Sequence, residues 1–161
     1  MRRCLAGAAA VLLLAGCPEK AGSRDGGAAT TSAGARGLRL QLPAGWTAEV
    51  DAHDELLVGP PGRAVLRIAR STSAADLPSS DELKDVFTSQ LTQVRVETLD
   101  SEDEDEGSLW VGRVRPEQAG TTGWNVALGA RRVEGEVLLC ATLPGAREAE
   151  VRTAADLCGS L

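Results

Sequence analysis

Between Val137 and Leu143 the chain is almost continuously apolar, and Pro144-Gly145 then stops it abruptly. An apolar run of this length without polar alternation reads as a central strand covered on both faces. The residues after the break, Ala146 to Cys158, form a second helical stretch that places Val151, Ala154, Ala155 and Cys158 on one face. A buried strand followed by a tight turn and a helix must have that helix lie back on the sheet. This segment alone therefore demands layered α and β structure. It also brings Cys140, in mid-strand, toward Cys158 on the inner face of the helix. A disulfide between them is expected, and closing a loop of this length contributes about 3 kcal/mol in the chain-entropy model. Their spacing matches no zinc pattern, so no metal site is expected on the pair.

Upstream, Leu38, Leu40 and Leu42 alternate with Arg39 and Gln41, the signature of a half-buried strand. Pro43-Ala44-Gly45-Trp46 follows as a turn. Leu56 to Val58 is a short strand ended by Gly59-Pro60-Pro61-Gly62, and Ala64, Leu66 and Ile68 mark another. Ser79 with Glu82 three residues on is a capping box. The apolar stripe after it, Leu83, Val86, Phe87, Leu91 and Val94, predicts a helix with a soft C-terminal boundary near Val94. Asp100 to Gly107 is expected as a charged turn, Leu109 to Val114 as a strand and Pro116 to Gly123 as a loop. Trp124, Val126, Leu128 and Ala130 alternate cleanly, and Glu134-Gly135 reads as a hairpin turn.

The N-terminus carries a different signal. Arg2-Arg3 precedes a short apolar run, Leu5 to Leu14, the layout of an export signal. The run is too short to span a membrane, which takes about 20 residues. Leu14-Ala15-Gly16-Cys17 closes it and resembles the lipobox of bacterial lipoprotein precursors. The resemblance implies a diacylglyceryl group on the Cys17 thiol, cleavage between Gly16 and Cys17, and acylation of the new amino terminus. Several acyl chains make a stable anchor where one is marginal. Pro18 rather than Asp after the cysteine implies, by the usual sorting rule, an outer-membrane protein facing the periplasm. Residues 1–16 are then the signal peptide and 17–36 a lipid-anchored linker. The polar, small-residue sequence of that linker predicts a flexible tether; a coil of roughly 19 residues spans about 25 Å. A folded domain is expected over 37–161.

With Cys4 in the signal and Cys17 lipidated, Cys140 and Cys158 are the pair left in a compartment that permits disulfides. The net charge is −6, and removal of the signal, which holds Arg2 and Arg3 and no acid, makes the mature protein more acidic still. An acidic chain is a poor partner for nucleic acid, whose phosphates need clustered Lys and Arg. It is likewise a poor partner for anionic headgroups, apart from the lipid itself. Aromatic residues are Phe87, Trp46, Trp110 and Trp124 alone, too few to read as a stacking platform in preference to core packing.

Catalysis has little support. His53 is the single histidine, in the polar stretch Asp51-Ala52-His53-Asp54-Glu55, and there is no Gly-x-Ser-x-Gly. A hydrolase would have to depend on His53. The acidic run Asp100, Glu102, Asp103, Glu104, Asp105 and Glu106 could attract Ca²⁺ weakly but misses the EF-hand register. No glycine loop that could cradle a phosphate opens a helix. No catalytic, metal or cofactor residues are therefore expected.

The element order, strands, a helix, a run of antiparallel strands and a final helix, is an α+β pattern. The phrase Leu42-Pro43-Ala44-Gly45-Trp46, followed by a strand and a Gly-Pro-rich turn, resembles the opening of Mog/PsbP-like domains. That resemblance implies an α/β/α sandwich, an antiparallel sheet flanked by two helices, and a binding or accessory role with a protein partner. The expectation is a lipid-anchored, non-enzymatic envelope module held at the membrane through Cys17. The alternatives are a His53 hydrolase and a Ca²⁺-binding module using the 100–106 loop.

Overall fold

The computed structural model describes residues 29–32, 38–72, 76–118 and 120–161. The expected export signal, Cys17 and most of the expected linker lie outside the described residues. Nine strands and two helices are described: β1 (Ala29–Ser32), β2 (Arg39–Leu42), β3 (Thr47–Val50), β4 (Leu56–Gly59), β5 (Leu66–Arg70), α1 (Ser80–Ser89), β6 (Val94–Glu104), β7 (Gly107–Pro116), β8 (Trp124–Val133), β9 (Glu136–Thr142) and α2 (Glu148–Gly159). Seven of the strands form one antiparallel sheet in the order β3-β4-β5-β9-β8-β7-β6, and β1 and β2 form a separate hairpin.

Side-chain alternation sends β7 to both faces. Trp110 and Val114 pack under α1 with Phe87 and Leu91, while Leu109 and Val111 pack toward Val151 and Ala155 of α2. The fold is thus α+β, with a helix on each face of an antiparallel sheet. The larger core lies on the α2 side. There Leu40 and Leu42 of β2 join Leu56, Val58, Leu66, Ile68, Leu138, Ala154 and Leu157. The strand β9 lies between β5 and β8, as expected of the apolar run that contains it. Its Leu138 and Cys140 are buried, and Leu139 and Ala141 on the other face are half-buried.

Local signals explain the element boundaries. The Glu82 carboxylate accepts the Ser79 backbone N–H at 2.8 Å and the Glu82 N–H donates to the Ser79 hydroxyl, closing the capping box. The helix stops at Ser89, and Val94 opens β6 and still packs with the α1 cluster. Glu134 and Gly135 both have positive φ, 52° and 84°, as a type I′ hairpin turn requires.

Two sequence expectations change and one strand is added. Ala29–Ser32, inside the stretch expected to be tether, pairs antiparallel with β2 from Ala29↔Leu42 to Ser32↔Arg39. Backbone hydrogen bonding to the edge of β2 needs no apolar pattern. The strand β3 had no clear sequence signal, because it is short and mostly exposed. The charged turn over Asp100–Gly107 is instead strand as far as Glu104, and the turn is Asp105-Glu106. Pairing with Gly107–Val111 of β7 holds these acidic residues extended despite their charge.

Candidate groove beside the C-terminal helix

The helix α2 sits over β8 and β9 because the residues beneath it are small. Ala127 packs against Val151 and Ala155, and a Cβ on Gly129 would meet the sulfur of Cys158, with the Ser108 carbonyl 3.2 Å away. Cys158 comes down where Gly129 pairs with Cys140. The Cα atoms of Cys140 and Cys158 are 6.1 Å apart and the Cβ–S–S–Cβ dihedral is 93°, disulfide-capable geometry.

Seated over β8 and the near side of β7, α2 stops short of β6. The result is a groove of about 840 Å³. Its floor is half-buried Leu109 and Val111; one wall is Val151, Arg152, Ala155 and Asp156 of α2, and the other is Leu99, Asp100 and Glu102 of β6. A register shift between Thr98 and Asp100 creates the acidic wall. Before it, Val94 and Val96 face α1. A β-bulge adds one residue and reverses the faces that follow. Asp100 and Glu102 therefore reach the groove, and Asp103 turns toward α1 instead.

Arginines close both ends. At one, Arg113 Nε donates to Asn125 Oδ1 at 3.0 Å and faces the Glu148 carboxylate at 3.9 Å. At the other, Arg131 donates to Glu104 Oε2 at 2.9 Å and to the Gly159 carbonyl at 2.6 Å. The second contact satisfies a carbonyl at the C-terminus of α2, where cationic groups are favoured by the helix dipole. The site is thus a trough with an apolar floor and a rim of Asp100, Glu102, Glu148 and Asp156 interleaved with Arg113, Arg131 and Arg152. No signal in the linear sequence marked it, because its floor, walls and ends come from four separate elements.

A second cavity of about 530 Å³ lies by the β8–β9 turn, floored by Leu56, Ile68, Leu138 and Leu161 and rimmed by Arg39 and Glu134. It is smaller, and its floor belongs largely to the main core.

The residues considered for chemistry do not assemble. His53 is exposed in the β3–β4 turn, where its backbone N–H donates to Asp51 Oδ1 at 2.8 Å. The Asp51 carboxylate is held below its ordinary pKa mainly by the Glu55 N–H, 3.0 Å away. Asp51 thus ties the turn together, and no serine lies within it. The acidic run is split by strand alternation. Asp103 accepts the Ser80 N–H and hydroxyl at 2.7 Å each, while Glu104 pairs with Arg131 on the other face. Among the described residues, no three His, Cys, Asp or Glu side chains converge as metal ligands would.

Glu150 anchors the first turn of α2. Arg63, from the loop after β4, donates to both of its carboxylate oxygens, and the Arg147 N–H donates at 2.8 Å. Those bonds, Arg63 first, lower its pKa from 4.5 to about 2. A depressed carboxylate stabilises the fold above its unfolded pKa, and that contribution is lost as pH falls through the folded value. The Glu150 contribution is therefore expected to be intact at pH 5 and above and to disappear between about 4.5 and 2. A carboxyl-carbon NMR titration reads this directly. The Glu150 signal should move only near the bottom of that range, and Arg63→Ala should return its midpoint toward the ordinary value. A midpoint unaffected by Arg63→Ala would show that the pairing does not control it.

No protein-family model matches the chain, and no curated protein matches it. Among solved structures, the chain is similar to the solution structure of cyanobacterial PsbP (CyanoP) from Synechocystis sp. PCC 6803. The TM-score is 0.42 at 14% identity, covering 76% of this chain and 83% of that one. That protein bears the name of the PsbP family that the Leu42–Trp46 phrase resembles.

Proposed function

We propose that this protein is a lipid-anchored envelope module that binds a protein partner and performs no catalysis. The observation that carries the binding reading is the groove between α2 and β6, an open apolar floor within a rim of mixed charge and lined by neither His53 nor its turn. The anchor rests on the lipobox ending at Cys17, with an outer-membrane, periplasm-facing location following from Pro18. Among the described residues no helix is long and apolar enough to cross a membrane.

Two measurements test the two halves. Cys17→Ala should abolish incorporation of labelled fatty acid and leave uncleaved precursor; normal processing of the variant would overturn the anchor. For the groove, cross-linking in envelope extract should give a defined adduct with the wild-type chain that Val111→Arg loses. An adduct unchanged by Val111→Arg would place binding elsewhere. A hydrolytic activity lost in His53→Ala would replace this reading with the enzymatic one.

A further inference from the structure

The antiparallel registers define two ends of the domain. At one end lie the pairs Ala29↔Leu42, Thr47↔Gly59, Leu66↔Thr142 and Val114↔Trp124; at the other lie Val50↔Leu56, Val133↔Glu136 and Glu104↔Gly107. The two ends differ in charge. The second collects Asp51, Asp54 and Glu55 in one turn, Asp105 and Glu106 in another, and Glu134 in a third. Arg39, Arg67, Arg70, Arg131 and Arg132 offset only part of this by number, and Arg67, Arg70 and Arg131 pair with Glu55, Glu136 and Glu104. At the first end each of the carboxylates Glu117, Glu148 and Glu150 sits against an arginine. Its connections at 43–46, 60–65, 117–118 with 120–123, and 143–147 are rich in Pro and Gly. It also carries half-buried Trp46 and exposed Trp124.

The N-terminal lead joins the domain at Ala29, at this same charge-balanced end. The 12 steps from Cys17 to Ala29 reach no more than about 40 Å, so an anchored domain stays beside the bilayer. Strands of up to 11 residues separate the ends by about 30 Å, several Debye lengths at physiological salt. Near an anionic surface, the acidic end is repelled and the neutral end is not. Tryptophan is favoured at the headgroup level, where its ring is partly buried and its N–H stays hydrated.

We infer that the anchored domain stands on the lipid surface by the Trp46–Trp124 end and directs its acidic end away from the membrane. This rests on the anchor reading and refines it: the net charge that opposes adhesion to headgroups is concentrated at the distal end. The lipid-facing residues are Trp124 foremost, with the exposed positions 44–45, 61–63, 120–122 and 144–145 of the turns around it.

The full-length chain, expressed with its signal and reconstituted into phosphatidylethanolamine–phosphatidylglycerol vesicles containing brominated lipid, tests it. Wild-type tryptophan emission should fall on incorporation relative to vesicles without bromine. Trp46→Phe/Trp124→Phe, which leaves Trp110 in the core, should lose that quenching. Both changes are at surface or half-buried positions, and an unchanged near-ultraviolet circular dichroism band from Trp110 verifies the fold. Chains that float with vesicles without quenching overturn the orientation alone. Chains that fail to float, with no acyl mass on Cys17, overturn the anchor and the orientation together.

Discussion

Replacing Trp110 by alanine should destabilise the domain by about 3–5 kcal/mol, the range for deleting a buried aromatic side chain. Trp110 is 1% exposed and is the largest of the fully buried side chains. Its ring lies 5.9 Å from that of Phe87 at 47°, and it gathers Val114, Val126, Leu91, Val94 and Val96 between the sheet and α1. The indole N–H donates to Thr98 Oγ1 at 3.1 Å. Ser80 is the one buried residue of α1, so the helix has little else to hold it. The expected pattern is a lowered denaturation midpoint with loss of α1 protection in hydrogen exchange. Trp110→Phe keeps most of the apolar area and should cost less. Gly112→Ala should destabilise too, because its Cβ would run into the Trp110 ring. Full protection of α1 in Trp110→Ala would mean that other contacts hold the helix.

Opening the Cys140–Cys158 pair should cost about 3 kcal/mol in the chain-entropy model. For a domain of this size that is a Tm decrease on the order of 10 °C. The two residues are 18 apart in sequence, and both side chains are buried, at 3% and 2% exposure. The double variant Cys140→Ala/Cys158→Ala removes the cross-link without leaving a buried polar group, so its Tm should match that of the reduced wild type. Thiol counting on denatured, exported protein checks the premise, since two reactive thiols from these positions would show the pair to be open. Gly129→Ala should mimic part of the loss by pushing Cys158 away from β9.

The elements read most reliably from sequence were those whose signal is local. The capping box at Ser79, the turn at Glu134-Gly135 and the break at Pro144-Gly145 depend on backbone conformations that a few adjacent residues impose. The inward face of α2, Val151 with Ala154, Ala155 and Cys158, follows from helical period alone. The strand β3 was not legible, because a short exposed strand is defined by its partner β4 and not by its own pattern. Asp100–Glu104 was misread as turn because charge density resembles a loop signal until a paired neighbour extends it.

The groove was not legible at all. It exists because Ala127 and Gly129 let α2 settle over β8, and because one extra residue at Leu99 reverses the faces of β6. Neither consequence can be seen until the strands are in register. The polarity of the domain is similar: the sequence by itself determined an acidic chain that opens with the layout expected of an export signal and a lipobox-like Cys17. Only the tertiary structure gathered the acids of three distant turns at one end and brought the N-terminal lead in at the other. Charge composition is a sum over residues and carries no direction; direction arises when antiparallel pairing decides which turns lie side by side.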